Sequence, residues 1–132
     1  MMHPAMRAYR LDEMPLVTVK PGFSRTGIRS DHAVHTVNWF EPGYKSAGQH
    51  SHPIDQMSYV LTGTMRFFVG DEEIDLVAPS VLYIPANLPH GAEPLGQERV
   101  LNIDVFAPVR EDYLPLCEHQ QFEVHPAPLT PE

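Results

Sequence analysis

The chemistry-bearing residues of this chain cluster in His50-Ser51-His52-Pro53-Ile54-Asp55-Gln56. In an extended chain, residues two apart face the same side, about 7 Å apart along the strand. His50 and His52 therefore project together, and Gln56 has the same parity and can join them once the chain bends at Pro53. Downstream, Pro85-Ala86-Asn87-Leu88-Pro89-His90 places another imidazole just past the end of a predicted strand. Asn87 suits a left-handed turn position, which asparagine tolerates better than most residues. His50, His52, His90 and the amide oxygen of Gln56 would hold one borderline divalent transition metal such as Zn, Ni, Fe, Mn or Co. An HxH pair also arises on ordinary solvated strands, so spacing alone leaves a metal site and a solvated face both open. The remaining histidines, His3, His32, His35, His119 and His125, read as solvated or structural.

A second constellation lies in Val100–Phe106 (VLNIDVF). Its parity sets Leu101, Ile103 and Val105 on one face and Asn102, Asp104 and Phe106 on the other. Core packing on the apolar side and a polar-lined cavity on the other would explain the split. A half-exposed strand with Asn102 and Asp104 in solvent would explain it equally. Arg110 follows, with Glu111 and Asp112 as possible surface partners of little energetic value.

These residues need short, stiff elements to hold them. The 14 prolines are spread along the chain and leave no room for long helices. Strands are expected at Leu16–Lys20, Ala33–Phe40, Gln56–Leu61, Met65–Val69, Glu73–Val77, Val81–Ile84 and Arg99–Phe106. Turn signals separate them at Pro21-Gly22, Glu41-Pro42-Gly43, Thr62-Gly63-Thr64, Gly70-Asp71 and Ala78-Pro79-Ser80. Residues 1–15 read as irregular and 44–50 as a loop into the first histidine. After Pro108 the chain should wrap the surface, with one helical turn near Glu111–Leu116 and a Pro-rich tail from Pro126. Many short strands punctuated by Gly and Pro signify a sandwich or closed barrel.

The 132 residues suit one domain. A formal net charge of −8, without a basic stripe, argues against nucleic acid. An anionic substrate would then require a locally positive site, which a metal on neutral ligands would supply. The single cysteine, Cys117, excludes an internal disulfide. The start lacks a continuous apolar stretch of signal-peptide type, and no run reaches the length of a membrane span, so the expectation is a cytoplasmic protein without membrane contact.

The stretch GYKSAGQHSHPIDQMSYVLTG resembles the first cupin motif, G(x)5HxH(x)3-4E(x)6G, with His50, His52 and Gly63 on it and Gly43 one position out of place. PSVLYIPANLPH resembles the second motif, G(x)5PxG(x)2H(x)3N. Pro85 and His90 match, Pro79 and Asn87 stand where glycines are usual, and Pro94 replaces the final Asn. The implied fold is all-β: a single-domain cupin β-barrel (jelly roll) over 1–132, its core at about 33–108. Gln56 replaces the usual Glu ligand. It keeps an oxygen donor and removes a charge, which makes a bound metal a better Lewis acid toward anions and a less natural redox centre. A degenerate, weakly binding position is the other reading.

With HSHPIDQMSYVLTG and IPANLPHG, the block VLNIDVFAPVREDYL is similar to that of the KdgF family, small cupins of pectin and alginate breakdown. That resemblance, over roughly 43–114, implies isomerase-type conversion of 4,5-unsaturated monouronates to linear keto-deoxyuronates. By position it makes Asp104, Phe106 and Arg110 the non-metal active-site residues and implies a small anionic sugar substrate. A homodimer is expected. A metal-dependent dioxygenase and a non-catalytic sugar- or carboxylate-binding cupin are the alternative functions.

Overall fold

The computed structural model describes residues 6–122, and the side chains of 6–120. Among them are nine strands: β1 Val17–Lys20, β2 Phe23–Arg29, β3 Val34–Phe40, β4 Gln56–Val60, β5 Thr64–Val69, β6 Glu72–Val77, β7 Ser80–Ile84, β8 His90–Leu95 and β9 Val100–Phe106. A 3-10 helix, Glu111–Cys117, and one α-helical turn, His119–Phe122, follow. The strands form a six-stranded sheet in the order β1-β2-β3-β9-β4-β7 and a three-stranded sheet in the order β6-β5-β8. Every pairing between the strands is antiparallel. The two sheets enclose a core of Phe40, Val60, Met65, Phe67, Ile84 and Val100, to which both contribute. The result is an all-β jelly-roll barrel. No helix among the described residues is long and apolar enough to cross a membrane.

The seven strands expected from periodicity are present, their ends shifted by one residue at most. β2 and β8 were not expected. β2 carries Gly27 within it, and β8 contains Gly91 and Pro94, which argue against strand in isolation. Both exceptions have physical causes. β8 is the edge of its sheet, where proline costs no ladder bond. At Gly27 a Cβ would lie 2.9 Å from both Cys117 Sγ and Leu116 Cβ, because the 3-10 helix packs directly on β2. The expected helical turn after Pro108 is this helix, and the Pro-rich tail from Pro126 lies outside the described residues.

Both faces of the central strands are covered. Toward the outside, Val37 and Leu101 are buried with Met14, against Tyr9, Leu11, Ile28, Trp39 and Ile103. The segment before β1 is irregular, as expected, yet it closes this second, smaller cluster. The apolar face of β9 was expected to be the core side. It packs instead beneath the N-terminal segment, and the main core shares the opposite face with the polar residues, through Val100.

A tight crossing holds the two sheets together beside the site. His50 pairs with His90 through reciprocal N–H···O bonds of 2.9 Å, so the segment before β4 is fastened to the start of β8. Gly91 permits this approach, since a Cβ there would sit 2.7 Å from the Gly48 carbonyl oxygen. Gly91→Ala is expected to push that segment outward and to lower unfolding free energy by about 1–3 kcal/mol. Urea denaturation checks the loss, and metal titration of the folded variant should show weakened binding, because His50 moves with the segment.

Candidate metal centre and its cavity

The loops place the imidazoles before any ligand is considered. The chain bends at Pro53-Ile54, after His52 and ahead of β4. Asn87 adopts φ of 67°, the left-handed conformation its side chain tolerates. Its N–H donates to the His52 carbonyl at 2.8 Å and ties the two histidine-bearing loops together. Ring centroids then lie 4.6 Å apart for His50 and His90, 4.9 Å for His52 and His90, and 5.9 Å for His50 and His52. One nitrogen from each ring falls within 4.8 Å of the other two.

Hydrogen bonds fix which nitrogens are free. His52 Nδ1 lies 2.6 Å from the Ile54 carbonyl and His90 Nδ1 lies 2.8 Å from the Leu88 carbonyl. A carbonyl only accepts, so each Nδ1 carries the proton and each Nε2 of a neutral ring presents a lone pair. His90 Nε2 is buried without a hydrogen-bond partner. His52 Nε2 faces Gln56 Oε1 at 3.1 Å.

The orientation of the Gln56 amide follows from its neighbours. Ser58 Oγ donates its one proton to Asp104 Oδ1 at 2.6 Å. It therefore accepts from Gln56 Nε2, at 2.8 Å, and Oε1 is left pointing at His52. Two acceptors facing each other beside an orphaned imidazole nitrogen make an arrangement that a cation would satisfy. The donors, neutral imidazole nitrogens and an amide oxygen, suit a borderline divalent transition metal. His50, His52, His90 and Gln56, which spacing alone left open between a metal site and a solvated face, are thus brought together.

Burial tunes these groups. His50 is the exposed member of the trio, yet loss of hydration, reinforced by His90, His52, Arg110 and Arg25, lowers its pKa to about 4. Desolvation also lowers that of His90, against the hydrogen bond to Leu88. Both are held neutral at pH 7, the form that binds metal.

Asp104 anchors the other end of this chain. Strand register sets it opposite Thr36 on β3 and Ser58 on β4, and sets Asn102 opposite Asn38 and Val60. The two rows form a polar band across three central strands. Asn38 Nδ2 donates to Asp104 Oδ2 at 3.2 Å and to Asn102 Oδ1 at 3.0 Å, and Asn102 Nδ2 donates to the Tyr59 carbonyl at 2.9 Å. Burial pushes the Asp104 carboxyl up, opposed by hydrogen bonds from Ser58, Asn102 and Gln56. Asn102 and Asp104 thus belong to a cavity wall and not to a solvated face.

The cavity holds about 330 Å³, and His50, Gln56, His90, Asp104 and Phe106 line it. Phe106 packs edge-on to His52 at 5.5 Å and to Tyr113 at 5.4 Å. The Arg110 guanidinium stacks on Tyr113 at 3.9 Å, with Nε bonded to Asp112 at 2.9 Å, one of the acidic partners its sequence suggested. Its Nη1 is buried and unpartnered. Sequence reasoning missed Thr36, Asn38, Ser58, Arg25 and Tyr113. The parity of β3 and β4 could have found the first three, since Thr36 and Asn38 alternate with Val37, and Ser58 with Met57.

Comparison with known proteins agrees with the fold. Residues 39–106 match the family described as Cupin domain. The chain is similar to the structure of KdgF from Halomonas sp., with 26% identity and a TM-score of 0.70, covering 80% of this chain and 97% of that one. It is also similar to an RmlC-like cupin from Shewanella frigidimarina, with 24% identity and a TM-score of 0.70, covering 82% and 96%; this second likeness speaks for the fold alone. No curated protein matches the chain in sequence.

The lowered His50 value has a consequence for the metal-free protein. An unfolded histidine titrates near 6.5, whereas the folded ring takes up a proton only near 4. Between these values the unfolded state binds more protons, so stability falls as pH drops from 6.5 toward 4. Thermal melting of chelator-treated protein across that range should show a falling Tm, and a His50→Asn variant should show a shallower decline.

Proposed function

The chain belongs to the cupin family, and from that premise we propose that it catalyses metal-dependent ring opening of 4,5-unsaturated monouronates to linear 5-keto-4-deoxyuronates. The observation that carries this reading is one continuous chain of hydrogen bonds. It joins Gln56, facing the metal-binding lone pairs, through Ser58 to the buried carboxyl of Asp104, and both ends line one cavity. A Lewis acid and an acid–base group are thereby held beside one small ligand, and tautomerisation without redox change needs both. The likeness to KdgF and the matching REDYL block support the same substrate class.

The reaction is an isomerisation. The substrate has a C4=C5 double bond conjugated to its carboxylate, and C5 also carries the ring oxygen. The O1–H bond and the C1–O5 bond break, an aldehyde forms at C1, and the electron pair passes to the C5 oxygen as an enolate. Protonation at C4 then gives the 5-ketone, so the net change carries a proton from O1 to C4.

His50, His52, His90 and Gln56 would hold the metal, which supplies Lewis acidity toward substrate oxygens. Asp104 takes the O1 proton and returns it at C4. Burial raises its pKa against the hydrogen bonds that stabilise the carboxylate, which suits a base that must take up a proton and hold it between the two steps. Arg110, which stacks on the cavity residue Tyr113 while Asp112 secures its Nε, adds positive charge behind the wall that the carboxylate meets. Phe106 supplies an apolar wall that keeps water from the ring.

Loss of ultraviolet absorbance from 4,5-unsaturated galacturonate tests the reading. Metal-loaded protein should accelerate the loss and chelator-treated protein should not. Asp104→Asn should reduce turnover about 10²- to 10⁴-fold with metal content unchanged. His52→Ala should lose both metal and turnover. Normal turnover by Asp104→Asn would remove Asp104 from the proton transfer.

A further inference from the structure

Arg25 carries a charge that the fold leaves unanswered. It sits on β2 opposite Asn38, and it lines the cavity with Asp104 and His50. Among the described residues no carboxylate lies within ion-pair distance of it. Asp104, the carboxylate that lines the cavity with it, is committed to Ser58, Asn38 and Asn102. Arg25 Nε is buried without a partner. Its Nη1 reaches the Tyr113 hydroxyl in a long hydrogen bond of 3.4 Å.

Tyr113 is the second element. Its ring takes Arg25 at 4.6 Å and Arg110 at 3.9 Å, so one aromatic ring positions two guanidinium groups. Cation–π contact orients a guanidinium without neutralising it. Asp112 balances Arg110 at 2.9 Å, and among the described residues no carboxylate does the same for Arg25. Arg25 and His50 line the same cavity, so the positive charge of Arg25 faces the side where the imidazoles converge. Holding an unpaired cation in a partly dehydrated wall is costly unless an anion completes it.

We infer that Arg25 and the Tyr113 hydroxyl form a carboxylate-binding subsite on the cavity wall, with Arg110 beside it. The guanidinium fork matches a carboxylate in a bidentate manner, and the Tyr113 hydroxyl adds a donor to the same oxygens. Arg25 is therefore the specificity residue that separates acidic sugars from neutral ones. The subsite rests on the uronate reading for the identity of its occupant and not for its existence.

Calorimetric titration of metal-loaded protein with D-galacturonate and with D-galactose tests this without turnover, since neither sugar has the double bond. Galacturonate should bind and galactose should not. Arg25→Gln should weaken galacturonate about 10- to 100-fold. Arg25→Lys should recover part of the loss, because it restores charge without the fork. Metal content and Tm, measured on each variant, should match the parent protein. Failure of the parent to prefer galacturonate would overturn the subsite, as would unchanged affinity in a folded, metal-loaded Arg25→Gln. If carboxylate binding depends on Arg25 but unsaturated galacturonate is not consumed, the subsite stands and the ring-opening reaction fails.

Discussion

The polar half of the barrel depends on one carboxyl group, that of Asp104, being satisfied inside a dehydrated wall. An ionised carboxylate there costs several kcal/mol unless donors meet its oxygens. Ser58 and Asn102 meet one oxygen and Asn38 meets the other. This demand dictates small polar residues at neighbouring positions of three strands. It also sets a direction. Protons point from Gln56 to Ser58 to Asp104, so acceptor lone pairs accumulate at the far end, on Gln56 Oε1, where the imidazoles converge. The orientation of the Gln56 amide at the candidate metal centre is thus inherited from the needs of a carboxyl on a different strand.

That arrangement requires strands occupied on both faces. β3 and β9 give their inner faces to Thr36, Asn38, Asn102 and Asp104, flanked by Val34 and Phe106 at one end and Phe40 and Val100 at the other. The apolar rows shut water out of the polar band at its margins. The outer faces would expose Val37 and Leu101, and the irregular segment at Tyr9–Met14 covers them. An enzyme-like cavity inside so small a barrel leaves less room for core, and the second cluster outside the sheet adds apolar burial of roughly 1.5–3 kcal/mol for each large side chain.

The parts legible in the sequence were those with a strong local period or a rigid spacing. HSHPIDQ and IPANLPH disclosed the candidate donors, because two-residue parity and the Asn87 turn survive folding unchanged. Alternation disclosed β3 and β9. β2 and β8 stayed hidden because their glycines serve neighbours distant in sequence, Gly27 admitting the 3-10 helix and Gly91 admitting Gly48, and because Pro94 is tolerated only at the sheet edge. With β2 unread, Arg25 had no face to be assigned to, and its place in the cavity could not be inferred. The roles of the two faces of β9 were reversed in part for a similar reason. Periodicity reports that a face is apolar and not whether a sheet or a terminal segment will cover it.

Gln56 admitted two readings, a charge-saving ligand and a degenerate one, and its surroundings favour the first. Ser58 has one hydroxyl proton, already given to Asp104. A glutamate at position 56 would present only acceptors to that oxygen, and two carboxyl groups would compete for a single donor. One of them would then hold an extra proton. Glutamine avoids the conflict because it accepts on one side and donates on the other. The negative charge that other cupin motifs place directly among the ligands lies here at Asp104, two hydrogen bonds away from the amide oxygen that faces the imidazoles. There it can act on a proton without reducing the positive charge that an anionic ligand meets at the metal. The loss of one ligand charge and the burial of one carboxyl are therefore a single adaptation, divided between β4 and β9.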